Sequence, residues 1–245
     1  MNRTSITGLA CLLAVALTAC AGGGEPPAPS SSPASAPLEA LKEPANSMSV
    51  SPPLSPAPVS AEALAAYRAL LAGEPGALDR PPEGLELHQV TLPPAEELEY
   101  VLLDLDGDGG AELVVQMVEQ PQQFNAVFHY GDGELSCWQY DIVEMSCRDY
   151  PLEDGAMVRQ YDTGTGPNRY SNLYTVFRYL PDGETEECAS LAVHQDTQED
   201  GTEVFTYLVD DAEVDQDTFA AEFEELVGSR LLSLEDWIPA TERPG

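Results

Sequence analysis

The stretch Tyr100-Val-Leu-Leu-Asp-Leu-Asp-Gly-Asp-Gly-Gly-Ala-Glu-Leu-Val-Val-Gln-Met117 sets an acidic, glycine-rich loop between two apolar runs. Both runs are dominated by Leu, Val and Tyr, which suits a half-buried pleated surface, so each reads as a strand. The polar residues 104–112 then form the connection, giving a strand–loop–strand element. Downstream the β pattern continues. Residues 124–130 alternate, Gly131-Asp132-Gly133 marks a turn, and 134–140 return as the second arm of a hairpin. Further strands are expected at 156–161, 173–180, 188–194 and 203–209, with Pro181-Asp182-Gly183 as a turn in which Pro fixes φ and Gly takes the positive-φ position.

Upstream, Ser60 is placed to cap a helix over 61–72 that carries Leu64, Tyr67 and Leu71 on one stripe and stops at Gly73 and Pro75. A Pro/Gly-rich connection leads to an alternating segment, 85–92, read as a strand and ended by Pro93-Pro94. A second helix follows Asp217, with Phe219, Phe223, Leu226 and Val227 on one face and Gly228 at its end. Short strands at hairpin spacing with a helix at each end imply an α+β fold, a single antiparallel β-meander domain over 61–245. No internal repeat is visible, which argues against a propeller.

The chain has 245 residues with 43 Asp and Glu against 10 Lys and Arg, a formal net charge of −33. Residues 61–245 hold 40 of the acids and 8 of the bases. A field of that sign repels phosphate backbones and anionic lipid, so nucleic-acid binding is not expected. Most of these acids read as a solvated exterior.

Residues 1–19 read as an export signal: Arg3, an apolar stretch over 6–17 too short to span a bilayer, and Leu17-Thr18-Ala19-Cys20. That tetrapeptide resembles the bacterial lipobox, which implies lipidation of Cys20 and a membrane anchor on the outer face of the cell membrane. Asp is absent at position 21, so nothing resembles the inner-membrane retention signal of Gram-negative lipoproteins, and a Gram-positive envelope is the expected setting. Residues 21–60 contain 10 Pro, 9 Ser and 7 Ala, too little apolar surface to offset the entropy of ordering. With the lipidated Cys20 they read as a disordered tether over 20–60, with a coil reach of about 35 Å and ~120 Å if extended as polyproline II.

Counted from Asp104, oxygen-bearing side chains fall at positions 1, 3, 5 and 9: Asp104, Asp106, Asp108 and Glu112. Gly107 and Gly109 let the backbone curl so that alternate side chains converge, and the carbonyl of Gly110 at position 7 can turn inward. Five oxygens suit Ca²⁺ better than softer transition metals. The alternative is a solvated Asp-Gly turn. An EF-hand needs a bidentate acid at position 12, and Val115 stands there, so that family is excluded.

The loop instead resembles the Asp-x-Asp-Gly-Asp-Gly-x-x-[Asp/Glu]-Leu calcium loop of FG-GAP and integrin-like repeats. It looks closer still to a group of bacterial surface lipoproteins with one such loop, an upstream Tyr-Arg-x-Leu-Leu helix (here 67–71) and a downstream Tyr-x-Asp-Gly turn. The resemblance implies a structural Ca²⁺ site and no particular activity. Ala111 and Gly110 depart from the group's usual Pro and larger residue, which loosens the loop and lowers affinity. A structural role is expected over a catalytic one, because all the oxygens come from one loop with no His or Cys beside it.

Asp211, Glu213, Asp215 and Asp217 recur at every second position; they read as a solvated edge with Asp217 capping the last helix, or as a second cation site. With Cys11 in the signal and Cys20 lipidated, a disulfide between Cys137 and Cys147 is one arrangement, Cys188 is an equal candidate partner, and reduced thiols are the third. No nucleophile motif accompanies His88, His129 or His194, and Thr163-Gly-Thr-Gly-Pro-Asn168 has no helix after it to cradle a phosphate. No catalytic residue is assigned. The expectation is a calcium-binding, lipid-anchored interaction module with an unidentified extracellular ligand or protein partner. An extracellular hydrolase of polysaccharide or cell wall, working through acidic residues, is the alternative. A solute-binding lipoprotein is disfavoured by length and by the missing βαβ alternation.

Overall fold

The computed structural model describes residues 58–119, 124–142, 147–166, 168–242 and 244. The expected signal, Cys20 and nearly all of the tether lie outside them. Helix α1, Ala61–Leu71, begins where Ser60 Oγ accepts from Ala63 N at 3.0 Å, satisfying one of the orphan donors of the first turn. Among the described residues the element order then runs through eleven strands and a second α-helix. The strands are β1 Leu98–Leu103, β2 Glu112–Met117, β3 Phe124–Gly131, β4 Glu134–Ile142, β5 Cys147–Pro151, β6 Met157–Gly166, β7 Arg169–Tyr179, β8 Thr185–Thr197, β9 Glu203–Val209, β10 Ala212–Val214 and β11 Ile238–Pro239, with α2, Gln216–Leu226, before the last. No helix among the described residues is long and apolar enough to cross a membrane.

The expected α+β antiparallel architecture is present, arranged as two sheets. The first has the order β11-β1-β2-β3-β4 and the second β10-β9-β8-β7-β6-β5. Each is a meander in chain order, apart from β11, which returns to pair with β1. The pleat divides each strand between two faces. On the outer face of the first sheet Leu98, Tyr100, Leu113, Val115, Ala126 and Phe128 pack on Ala63, Tyr67, Leu70 and Leu71 of α1. On the outer face of the second, Tyr174, Val176, Leu191 and Val193 meet Phe219 and Val227 at α2. Between the sheets Val101, Leu103, Val114 and Val127 meet Met157, Phe177 and Tyr179.

The inner layer also carries a polar seam. Asp149 on β5 is buried, accepts from Gln139 Nε2 at 2.6 Å and pairs with Arg159 at 2.6 Å, while Asn125 Nδ2 donates to the Asp149 carbonyl at 3.2 Å. The C-terminal segment closes the first sheet. Ala240 N donates to Leu98 O at 2.8 Å, Tyr100 Oη to Glu242 O at 3.0 Å and Arg68 Nε to Pro244 O at 2.5 Å.

Three local expectations are corrected. Residues 85–92 contain a 3₁₀ turn, Leu87–Gln89, in place of a strand; Glu86 and Gln89 cap each other and none of the turn is buried, so the alternation had no face to bury. The residue capping α2 is Asp215, whose carboxylate accepts from Thr218 N at 2.8 Å; Asp217 lies in the first turn. On α1 the fully buried stripe is Ala63, Tyr67, Leu70 and Leu71, with Leu64 half-buried at its margin.

Candidate metal centre

Strands β1 and β2 pair from Leu98↔Met117 to Leu103↔Glu112, so residues 104–111 are the whole connection. Gly107 and Gly109 have φ of 77° and 88°, a region that disfavours a Cβ. Their turns bring backbone donors back onto the acids. Asp104 accepts from Gly107 N at 2.7 Å and Gly109 N at 3.1 Å, Asp106 from Asp108 N at 3.0 Å, and Asp108 from Gly110 N at 2.5 Å. These Asx-type bonds hold three carboxylates pointing into one loop. Ligand atoms of Asp104, Asp106 and Asp108 lie within 4.8 Å of one another.

Glu112 is different. It opens β2 and is only 1% exposed. Its Oε2 accepts from Leu105 N at 2.8 Å and its Oε1 lies 3.0 Å from His129 Nδ1. Strand register explains the meeting: Leu113 faces Phe128, so one step outward Glu112 faces His129. His129 was not expected at the site, and the expectation that no histidine stands beside the loop is overturned. The pairing was countable in principle, since β2 and β3 form an antiparallel pair, but it needs the register, which residues 118–123 do not announce. The His129 ring stacks on Trp138 with centroids 4.3 Å apart and planes at 11°. Asp106, Glu112 and His129 form a second group whose ligand atoms lie within 4.8 Å.

Two neighbours hold the loop from outside. Tyr67 Oη, on α1, donates to Ala111 O at 2.8 Å, and Gly155, in the turn between β5 and β6 with φ of 81°, packs so closely on the Asp104 carbonyl that a Cβ would collide with it. Burial pushes the Asp106 and Glu112 carboxyls above the ordinary range, and for Glu112 the bonds from His129 and Leu105 only partly offset this. Burial also works against a charge on His129, but the bond to Glu112 and the charges of Glu112, Asp106 and Asp108 outweigh it and raise its pKa. Burial and the Glu112 charge raise the Tyr67 hydroxyl as well. Asp106 Oδ2 is buried with no hydrogen-bond partner among the described residues. The donor set therefore fits a cation, which would both satisfy that oxygen and offset the mutual repulsion of the acids.

Of the other residues singled out, Gly110 lies in the loop with its N–H committed to Asp108. Cys137 is buried on β4, donating to Gln139 O at 3.1 Å, and Cys147 opens β5 in the other sheet. Cys188 is exposed at a register shift in β8. His194 bonds Ser171 across β7 and β8 at 2.7 Å, an ordinary cross-strand pair, and His88 is exposed beside Glu86. Among the described residues, the acids at 211–217 do not gather into a group of ligand atoms. No protein family, curated protein or solved structure matches the chain. What the geometry supplies is two acidic groups, joined at Asp106, that could hold a metal ion.

Proposed function

We propose that this protein is a calcium-binding interaction module held on the outer face of a bacterial cell membrane by a lipid on Cys20, with the 20–60 segment as its tether. The observation that carries the cation reading is the convergence of Asp104, Asp106 and Asp108 within 4.8 Å. Carboxylate oxygens are the ligands of a hard ion, and waters and the Gly110 carbonyl would complete a Ca²⁺ shell. The ion's role is structural: it pins the hairpin that joins β1 to β2. Affinity in the range of extracellular modules, about 10⁻⁴ to 10⁻³ M, would keep the site filled outside a cell.

Calorimetry of the chelator-stripped protein against Ca²⁺ tests this. One saturable isotherm, and a melting temperature that climbs with millimolar Ca²⁺, are expected; Asp104→Asn and Asp108→Asn remove both. No heat and no thermal shift would end the calcium reading. The anchor is tested separately by Cys20→Ser, which should move the protein from the membrane fraction to the medium. Retention on the membrane would contradict it.

A further inference from the structure

A cation seated among the loop carboxylates leaves two side chains unexplained. His129 arrives from β3 instead of the loop, and Glu112 turns into the interior, 1% exposed, toward that imidazole. Asp106 connects this inner corner to the loop. Its Oδ1 accepts from Asp108 N at 3.0 Å, while its Oδ2 is buried and has no hydrogen-bond partner among the described residues. A buried, unpartnered carboxylate oxygen is costly and is the kind of group a metal ion satisfies.

The spacing is compatible with coordination. The 3.0 Å between His129 Nδ1 and Glu112 Oε1 is a hydrogen-bond distance that also equals the edge between two cis ligands of an octahedral ion about 2.1 Å from each. Its neighbours fix the imidazole: one face stacks on Trp138, and Gly131 approaches Nε2 so closely that a Cβ there would clash. That leaves Nδ1 facing the acids. A ring nitrogen with two carboxylates is a donor set that favours first-row transition ions over Ca²⁺.

The geometry points to a second cation position at Asp106, Glu112 and His129, which shares Asp106 with the acidic loop and takes a first-row divalent ion such as Mn²⁺ or Zn²⁺. It rests on the cation reading of this corner, but not on calcium as the loop ion. Asp106 bridges the two positions, Oδ1 on the loop side and Oδ2 on the inner side.

Mn²⁺ is the probe, because the exposed Cys188 thiol would compete for Zn²⁺. The full chain is stripped with chelator, saturated with Ca²⁺ and loaded with Mn²⁺, and pulsed electron paramagnetic resonance reads whether a nitrogen is bound to the manganese. Wild type should show nitrogen coupling. His129→Gln should abolish it and weaken Mn²⁺ binding at least about tenfold, while its calcium isotherm persists. Asp104→Asn should lose the calcium isotherm and keep the nitrogen coupling. If His129→Gln folds poorly by circular dichroism, Asp106→Asn decides instead and should also remove the coupling. Bound Mn²⁺ without nitrogen coupling, coupling that survives the deciding variant, or no Mn²⁺ binding at all would each overturn the inference. Absence of a calcium isotherm alongside intact nitrogen coupling would overturn the calcium reading only.

Discussion

The two sheets differ in how completely their outer faces are covered. On the first, α1 and the flanking segments leave Leu98, Tyr100, Leu113, Val115, Ala126 and Phe128 at most 1% exposed. On the second, α2 seals Val176 and Leu191, but Phe205, Tyr207 and Val209 on β9 are only partly buried. Both sheets bury an acid, with different partners. Glu112 in the first sheet meets His129, whereas Asp149 on β5 of the second is paired with Arg159 at 2.6 Å; Asp154, in the turn before β6, sits at the surface, 43% exposed and paired with Arg178 and Arg230 at 2.6 Å each. A carboxylate away from water interacts more strongly with a bound cation, and Glu112, unlike Asp149, has no guanidinium hydrogen-bonded to it among the described residues, so the first sheet is the one whose buried acid is placed to meet a metal ion.

The contrast is easiest to break through the cores. Phe128→Ala in the first sheet should cost about 3–5 kcal/mol, and Phe205→Ala in the second, only partly buried, clearly less. Urea midpoints with unchanged slopes measure both; equal losses would mean the covers are equivalent. A smaller effect should cross between the sheets. Gly155→Ala forces a Cβ into the left-handed region and against the Asp104 carbonyl. The backbone term alone is about 1–2 kcal/mol. It should also weaken calcium binding although Gly155 offers no ligand, and a calcium isotherm unchanged from wild type would show that the loop does not feel this contact.

The smallest effect is in pH. Arg230, aided by the Ala156 N–H and Arg178, outweighs burial and holds the Asp154 carboxyl below the ordinary range. Its folded pKa is depressed, so its contribution is present above the unfolded value and is lost as pH falls through the folded one. Asp154→Asn should therefore make the acid-side fall in melting temperature shallower, by a modest amount because the site is solvent-screened. Glu112 and Asp106 carry the opposite sign. Burial raises their folded pKa, so in chelated protein stability should decline as pH rises from the ordinary carboxylate range through the raised values, and added Ca²⁺ should cancel that decline. Melting curves across pH, with and without chelator, read both limbs.

Much of this was legible because local chemistry decided it. The Ser60 cap, the Asp132-Gly133 turn with φ of 54° and 82°, and the strands on either side of Asp104 and Glu112 each follow from residue type and spacing. What local signals do not carry is partnership at a distance. The break between the sheets falls before β5, five residues that end in Pro151 and show little alternation, so one continuous meander was the simpler reading. The two-residue strand β11 has no pattern at all and exists only because β1 offers an edge. His129 reads as one more residue of an alternating strand until register sets it against Glu112. In the same way the alternation at 85–92 looked like a strand, but a pattern needs a partner sheet, and there the mutual capping of Glu86 and Gln89 prevailed.

The return of β11 to β1 has a consequence for the order in which the chain can be finished. Taken from the N-terminus, β1 to β4 and the acidic loop come first, yet the partners of the edge residues Glu99 and Tyr100 are supplied by Pro239 and Ile238. Arg68 on α1 likewise waits for the carbonyl of Pro244. The second sheet has every strand within residues 147–214. The sheet that comes first in the chain is thus completed last, and the helix and strand at its front are clasped only once residues 238–244 have come into place.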